Sequence, residues 1–113
     1  MRIAVSATGP DLRSRVDPTF GRCAYFVVVD LGRDGVETVS NTGMSLDSGA
    51  GARSVQVLID AKVTTVLTGR CGLQAMRALD AAGIDVHTGY TGIVADAIDR
   101  YSSECASENL PRA

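Results

Sequence analysis

An arginine and a cysteine lie between two glycines in the segment TVLTGRCGLQA, residues 65–75. The preceding residues are apolar and predict a strand, and the following residues predict the start of a helix. Gly69 and Gly72 would let a ligand approach the backbone, Arg70 offers hydrogen bonds to an anion, and the Cys71 thiol suits a soft metal. The pattern fits a site for an anionic ligand that contains sulfur or metal, and it fits a plain strand-to-helix turn equally well.

The other residues that could bind a metal are few. The three cysteines, Cys23, Cys71 and Cys105, are widely spaced, and no secretory signal precedes them, so we expect no structural disulfide. With no C-x-x-C and a single histidine, His87, we expect no metal site built from Cys and His alone. Cys71 is the candidate metal ligand, Cys23 is expected to be a packed small hydrophobe, and Cys105 to be incidental. His87 either contacts a sulfide or metal, or bonds to a loop.

Composition limits the class of protein. A chain of 113 residues with 45% hydrophobic residues suits one domain with a real core, and we assign residues 1–104 to that domain and 105–113 to a flexible tail. The net charge of −2 argues against a nucleic-acid partner recognised through bulk charge. No apolar run reaches the roughly 18 residues of a membrane span, so we expect a cytoplasmic protein without a membrane partner.

The hydrophobic periodicity predicts an α/β protein with a five-stranded mixed sheet and helices on both faces. A hairpin precedes a run of alternating helices and strands. Within the second helix, Leu73, Met76 and Leu79 are expected to face inward. The predicted strands are 2–8, 23–30, 36–41, 64–68 and 84–88, and the predicted helices are 51–62, 73–83 and 93–101.

Glycines and hydroxyl side chains follow three of the predicted strands, in SATG (6–9), TGRCG (68–72) and HTGYTG (87–92). Ligands of open α/β sheets bind beyond the carboxyl ends of parallel strands, and helix N-termini favour anions there. Such a helix end would also lower the pKa of the Cys71 thiol. Arg22, from the long loop before the second strand, either covers the anion or pairs with Asp17. The candidate binding residues are Thr8, Gly9, Arg22, Gly69, Arg70, Cys71, Gly72, His87, Thr88 and Gly89.

Three segments together resemble a known family. These are VDPTFGRCAYFVVVD (16–30), GAGARSVQVLIDAKVTTVLTGRCGLQAMRALDAAGIDV (49–86) and TGIVADAIDRY (91–101). They are similar to the dinitrogenase iron–molybdenum cofactor biosynthesis family, which includes NifX and the C-terminal domain of NifB, and they cover nearly the whole chain. Where many members have Asn or Asp after the fourth strand, this chain has Arg70 and Cys71.

This resemblance implies a three-layer fold like ribonuclease H and a carrier role for iron–molybdenum cofactor, its precursors or a related metal–sulfur cluster. It also extends to the orange protein of sulfate reducers, which holds a molybdenum–copper sulfide cluster without covalent protein ligands. Other cluster-handling proteins would then be partners. The alternative is a regulatory or interaction module that binds a small anion and no cluster. A two-metal nuclease is disfavoured because the first strand, RIAVSAT, carries no carboxylate.

Overall fold

The computed structural model describes residues 2–30, 35–41 and 50–108, and its elements follow the predicted order β-β-β-α-β-α-β-α. Each strand is one or two residues shorter than its predicted run. The strands are β1 (Arg2–Ala7), β2 (Tyr25–Asp30), β3 (Val36–Ser40), β4 (Thr65–Leu67) and β5 (Asp85–His87), and the helices are α1 (Ala50–Asp60), α2 (Leu73–Ala81) and α3 (Val94–Glu108). Of the predicted hairpin turn at 32–35 only Gly35 is described, and the segment 42–49 also lies outside the described residues.

The five strands form one mixed sheet in the order β3-β2-β1-β4-β5. β2 is antiparallel to both β1 and β3, whereas β4 is parallel to both β1 and β5. The predicted mixed sheet with a parallel half is therefore confirmed. Because β1, β4 and β5 run in the same direction, they end at one edge of the sheet, which we call the carboxyl edge.

Two apolar cores lie on opposite faces of the sheet, since side chains alternate along each strand. On β1, Ala4 faces the core formed with α1 and α2, while Ile3, Val5 and Ala7 face the core formed with α3. All four residues are fully buried. The chain thus has three layers, two helices against one, with the sheet between them, and the prediction of helices on both faces is confirmed.

The inward face of α2 differs from the prediction. Leu79 is buried, but Leu73 and Met76 are 65% and 40% exposed, and the other buried position is Ala75. The helix packs against α1 and β5, and its small side chains at 75 and 78 contact the core on that face. Alanine permits a close approach between helices, so the small side chains of α2 form part of its buried face. The prediction considered only the large side chains and therefore placed the inward face partly on the exposed side of the helix.

The third helix is longer than predicted. We expected it to end at Tyr101, yet it continues to Glu108, so residues 105–108 of the predicted tail are helical. No glycine or proline occurs between 102 and 108, and Arg100 and Glu104 form an i,i+4 ion pair at 3.2 Å across that region. Residues 109–113 lie outside the described residues. Within the described ranges, no helix has the length and apolar character needed to cross a membrane.

Candidate functional site

The turns after β4 and β5 are joined to each other at the carboxyl edge. The backbone N–H of Gly89 donates to the carbonyl of Gly69 at 2.8 Å, and that of Tyr90 donates to Thr68 at 3.1 Å. β1 joins the same group, because the buried hydroxyls of Ser6 and Thr68 are hydrogen-bonded to each other at 2.8 Å. The structure therefore joins all three predicted segments: 68–72 contacts 87–92 directly, and Ser6 links the segment 6–9 to Thr68.

Gly69 is needed for a contact within the protein. A Cβ at this position would lie 2.7 Å from the Cα and 2.7 Å from the carbonyl oxygen of Pro18. The sequence predicted that this glycine would leave room for a ligand, but the loop before β2 already occupies that space. Two backbone hydrogen bonds accompany the contact, from the Arg70 N–H to the Pro18 carbonyl at 2.8 Å and from the Phe20 N–H to the Arg70 carbonyl at 3.1 Å.

These contacts fix the backbone of Arg70 while its side chain remains exposed. The loop that holds it is itself ordered, because the Asp17 carboxylate accepts a hydrogen bond from the Thr19 N–H at 2.9 Å and the Phe20 ring is buried. Arg22, the other predicted cation, is also exposed. Because the backbone of Arg70 is already fixed, its guanidinium can contact an anion at the carboxyl edge with only a small loss of conformational entropy.

Gly72 provides the open space that the sequence predicted for the pair of glycines. It is the N-cap of α2, with φ −67° and ψ 157°, and no side chain caps the helix there. A Cβ on Gly72 would meet no heavy atom within 4 Å. The N–H groups in the first turn of a helix have no partners within the helix, and they carry the positive end of its dipole. This end of α2 can therefore receive a bulky anion.

Burial raises the pKa of both Cys71 and Cys23. Cys71 is half-buried against the core on the α1 and α2 side, and this burial raises its pKa above the ordinary value. The expected lowering of its pKa by the helix end is therefore wrong, because desolvation dominates. Burial, aided by the nearby Asp17, raises the pKa of Cys23 to about 12. Cys23 is fully buried and donates to the Phe20 carbonyl at 3.2 Å, as a packed small hydrophobe should.

His87 lies on the other side of the sheet from Cys71. Its ring centroid is 5.0 Å from that of Tyr101, a residue of the α3 core. The sheet therefore separates this imidazole from the Cys71 thiol, and the two do not form a pair of metal ligands. Across the described residues, no group of three or more His, Cys, Asp or Glu side chains is placed to hold a metal ion.

Of the remaining predicted residues, two have contacts within the loop after β1 and two are exposed. The Thr8 hydroxyl and N–H both donate to the Arg15 carbonyl, at 3.3 and 3.0 Å, and a Cβ on Gly9 would lie 2.5 Å from the Ser14 hydroxyl oxygen. These two residues therefore shape the loop after β1. Thr88 and Gly89 are exposed at the carboxyl edge, and Gly89 has a φ of +83°.

Sequence reasoning missed two features of this region. One is the contact of Pro18 with the turn after β4, which nothing local in either segment signals. The other is the buried hydrogen-bonded pair of Ser6 and Thr68, although both residues lie in the hydroxyl-containing segments 6–9 and 68–72 that the sequence singled out. Two surface clefts, of about 400 Å³ and about 490 Å³, are lined by residues of β3 and its neighbours and by none of the predicted site residues.

Comparison with known proteins identifies the family. The model of the family described as "Dinitrogenase iron-molybdenum cofactor" matches residues 1–104. The chain belongs to this family. The resemblance seen in the three sequence segments is thus confirmed, and it extends over both cores and the whole carboxyl edge.

Solved structures of family relatives share the fold. The apo form of the orange protein from Desulfovibrio gigas is 42% identical, with a TM-score of 0.87 over 99% of this chain and 92% of that one. A putative NifB protein from Thermotoga is 35% identical, with a TM-score of 0.80 over 90% of this chain and 87% of that one. An uncharacterized protein of Methanocaldococcus jannaschii is 27% identical over 101 residues, covering 87% of this chain and 82% of that protein.

Proposed function

We propose that this family member is a non-catalytic carrier that binds an anionic metal–sulfur cluster at the carboxyl edge. Membership of the iron–molybdenum cofactor family and the likeness to the orange protein support a cluster as the ligand. The observation that carries the proposal is the open N-terminus of α2, where Gly72 leaves space and no side chain caps the helix. Arg70 stands next to this opening on a backbone fixed by the Pro18 loop.

Non-covalent contacts account for how the chain would hold such a cluster. The free N–H groups of the first turn of α2 and the Arg70 guanidinium would face the sulfides of the anion, and the exposed backbone around Gly89 would complete the surface. The raised pKa of Cys71 keeps its thiol protonated at neutral pH, so it adds no negative charge to an already negative ligand. In this arrangement the side chains position the cluster and need not ligate it.

The orange-protein likeness favours a molybdenum–copper sulfide cluster, and the family favours one related to iron–molybdenum cofactor. In either case the cluster is cargo, so the proteins that supply or receive it would be the partners. The alternative function, a module for a small anion such as phosphate, uses the same helix end but needs no metal. Uptake of metal with visible colour is the measurement that distinguishes them.

The first experiment compares two arginine variants. Wild type, Arg70→Ala and Arg77→Ala are reconstituted with thiomolybdate and Cu(I), desalted, and assayed for bound molybdenum and copper. Arg77 is exposed on α2 and serves as the matched control. A charge-assisted hydrogen bond covered by the ligand is worth about 1.5–3 kcal/mol, so Arg70→Ala should bind roughly 10- to 100-fold more weakly. Arg77→Ala should stay within about 1 kcal/mol of wild type.

Equal retention of metal by all three proteins would contradict the role of Arg70. A wild type that takes up no metal, but whose amide signals around Gly72 shift on adding inorganic phosphate, would instead support the small-anion module.

A second comparison tests whether Cys71 is a ligand. Cys71→Ser should still take up the cluster with a modest loss of affinity, whereas Gly72→Val should lose uptake because a side chain fills the opening. The extended backbone of Gly72 and the empty space around it allow the fold to accept valine, which circular dichroism would check. A colourless Cys71→Ser beside a normally coloured Gly72→Val would make Cys71 a true ligand.

A further inference from the structure

A cleft of about 400 Å³ lies between β3 and α1. β3 and β5 are the first and last strands of the sheet, so this cleft lies at the end of the strand order far from β5. β3 is an edge strand, so no other described strand pairs with its outer side. Such an edge presents backbone N–H and C=O groups that can bond to another chain. Among the described residues, those that line the cleft are Glu37, Val39 and Ser40 of β3 and Arg53, Val57, Asp60 and Ala61 of α1 and the turn after it.

The α1 wall of this cleft carries charges of opposite sign at its two ends. Arg53, Val57 and Asp60 follow one another at spacings of four and three, so they form one stripe along the helix. The stripe is basic at its start, apolar in its middle and acidic at its end. The chain also fixes which end of β3 lies beside the acidic end, because the Arg2 side chain donates to the Ala61 carbonyl at 2.9 Å and to the Glu37 carboxylate at 2.8 Å.

We propose that a second copy of this chain occupies the cleft, with the two β3 strands paired antiparallel about a two-fold axis. A two-fold axis that crosses the stripe near Val57 brings Arg53 of each copy opposite Asp60 of the other, and it brings the two Val57 side chains together. Opposite charges of the two stripes therefore meet when the helices run antiparallel, whereas a parallel arrangement would place like charges opposite each other. The two five-stranded sheets would join into one, and the outer side of each β3, which no other described strand pairs, would be covered.

The proposed dimer is independent of cluster binding. The axis at β3 directs the carboxyl edges of the two copies toward opposite ends of the joined sheet, so neither Gly72 region is covered. A failure to bind metal would leave the proposed dimer untouched, and a monomeric protein could still carry a cluster.

Sedimentation velocity over about 10 μM to 1 mM, the range of weak interfaces, tests the dimer. Wild type should show a concentration-dependent dimer that weakens as salt rises, because exposed ion pairs are screened. Arg53→Glu and Asp60→Arg should each weaken association at least tenfold, since each places like charges opposite one another. The control Arg77→Glu makes the same charge change on α2, away from the cleft, and should associate like wild type.

A mixture of the two weakened variants gives the decisive measurement. In a mixed dimer, Glu at position 53 of one variant faces Arg at 60 of the other, and the unchanged Arg53 and Asp60 face each other as well. Association should therefore return in the equimolar mixture, which neither misfolding nor a peptide-binding groove would produce. A wild type that stays monomeric at 1 mM, or a mixture as weak as the separate variants, would overturn the proposal.

Discussion

Replacing Gly69 by alanine is expected to destabilise the protein although it adds only one methyl group. The new Cβ would lie 2.7 Å from both the Cα and the carbonyl oxygen of Pro18, which are backbone atoms that cannot turn aside. The loop must therefore move, and this strains the hydrogen bonds from Arg70 to Pro18 at 2.8 Å and from Phe20 to Arg70 at 3.1 Å.

The size of the effect follows from these contacts. Overpacking costs about 1–3 kcal/mol, and each lost hydrogen bond adds about 0.5–1.5 kcal/mol. Alanine restricts the unfolded chain and returns about 0.4–1 kcal/mol. If both hydrogen bonds are lost, the net loss in free energy of unfolding for Gly69→Ala is therefore about 1–5.5 kcal/mol, which corresponds to a fall in Tm of roughly 4–23 °C for a domain of this size.

Gly72→Ala is the matched control, because a Cβ there meets no heavy atom within 4 Å. Loss of glycine at an N-cap and the gain in the unfolded chain nearly cancel, so its stability should stay within about 0.5 kcal/mol of wild type. Urea unfolding followed by circular dichroism measures both variants. Faster hydrogen exchange of the Arg70 and Phe20 amides in Gly69→Ala would locate the damage. Coincident unfolding curves for Gly69→Ala and wild type would refute this reasoning.

Two further predictions concern the cores. Leu79→Ala should lower the free energy of unfolding by about 2–5 kcal/mol because Leu79 is fully buried. Leu73 is 65% exposed, so Leu73→Ala should change the free energy of unfolding by less than about 1 kcal/mol. Similar losses for the two variants in urea unfolding would support the inward face of α2 predicted from the sequence. Burial raises the pKa of Cys23 from 9.0 to about 12. The stability that its neutral thiol contributes is therefore complete below pH 9 and is lost as the pH rises toward 12. The free energy of unfolding should fall by up to about 1.4 kcal/mol per pH unit over this range. Cys23→Ala should flatten the fall in urea midpoint over that range, and an unchanged slope would contradict the assignment.

The sequence predicted the order of all eight elements because each has a clear period or punctuation. Strand β2, YFVVVD, is an unbroken β-rich run, and α2 ends just before the glycine at 83, whose φ is +75°. Strand ends are harder to predict because Thr64 and Thr68 continue the pattern of β4. Their backbone N–H groups donate to the carbonyls of Arg2 and His87 at 3.0 Å, although neither residue belongs to the paired register of β4. Local preference therefore identifies elements, while the register of paired residues decides where they stop.

The candidate site was only partly predictable from the sequence. The sequence identified the glycine-containing turns and the helix end at Gly72, since these are local patterns. It could not assign different roles to Gly69 and Gly72, because the partner of Gly69 is Pro18, about fifty residues away along the chain. The pKa of Cys71 was likewise out of reach, since it depends on how deeply the neighbouring helices bury the thiol.

The uncapped start of α2 also bears on how the protein could be engineered. Serine or aspartate at Gly72 would supply the missing cap, yet such a residue exceeds glycine there by only a few tenths of a kcal/mol. The same side chain would bond to the N–H groups that an anion would otherwise use, so it would act as a built-in competitor. A search for thermostable variants that scores unfolding alone would accept this substitution, and the selected proteins would be slightly more stable but would have lost the proposed anion site.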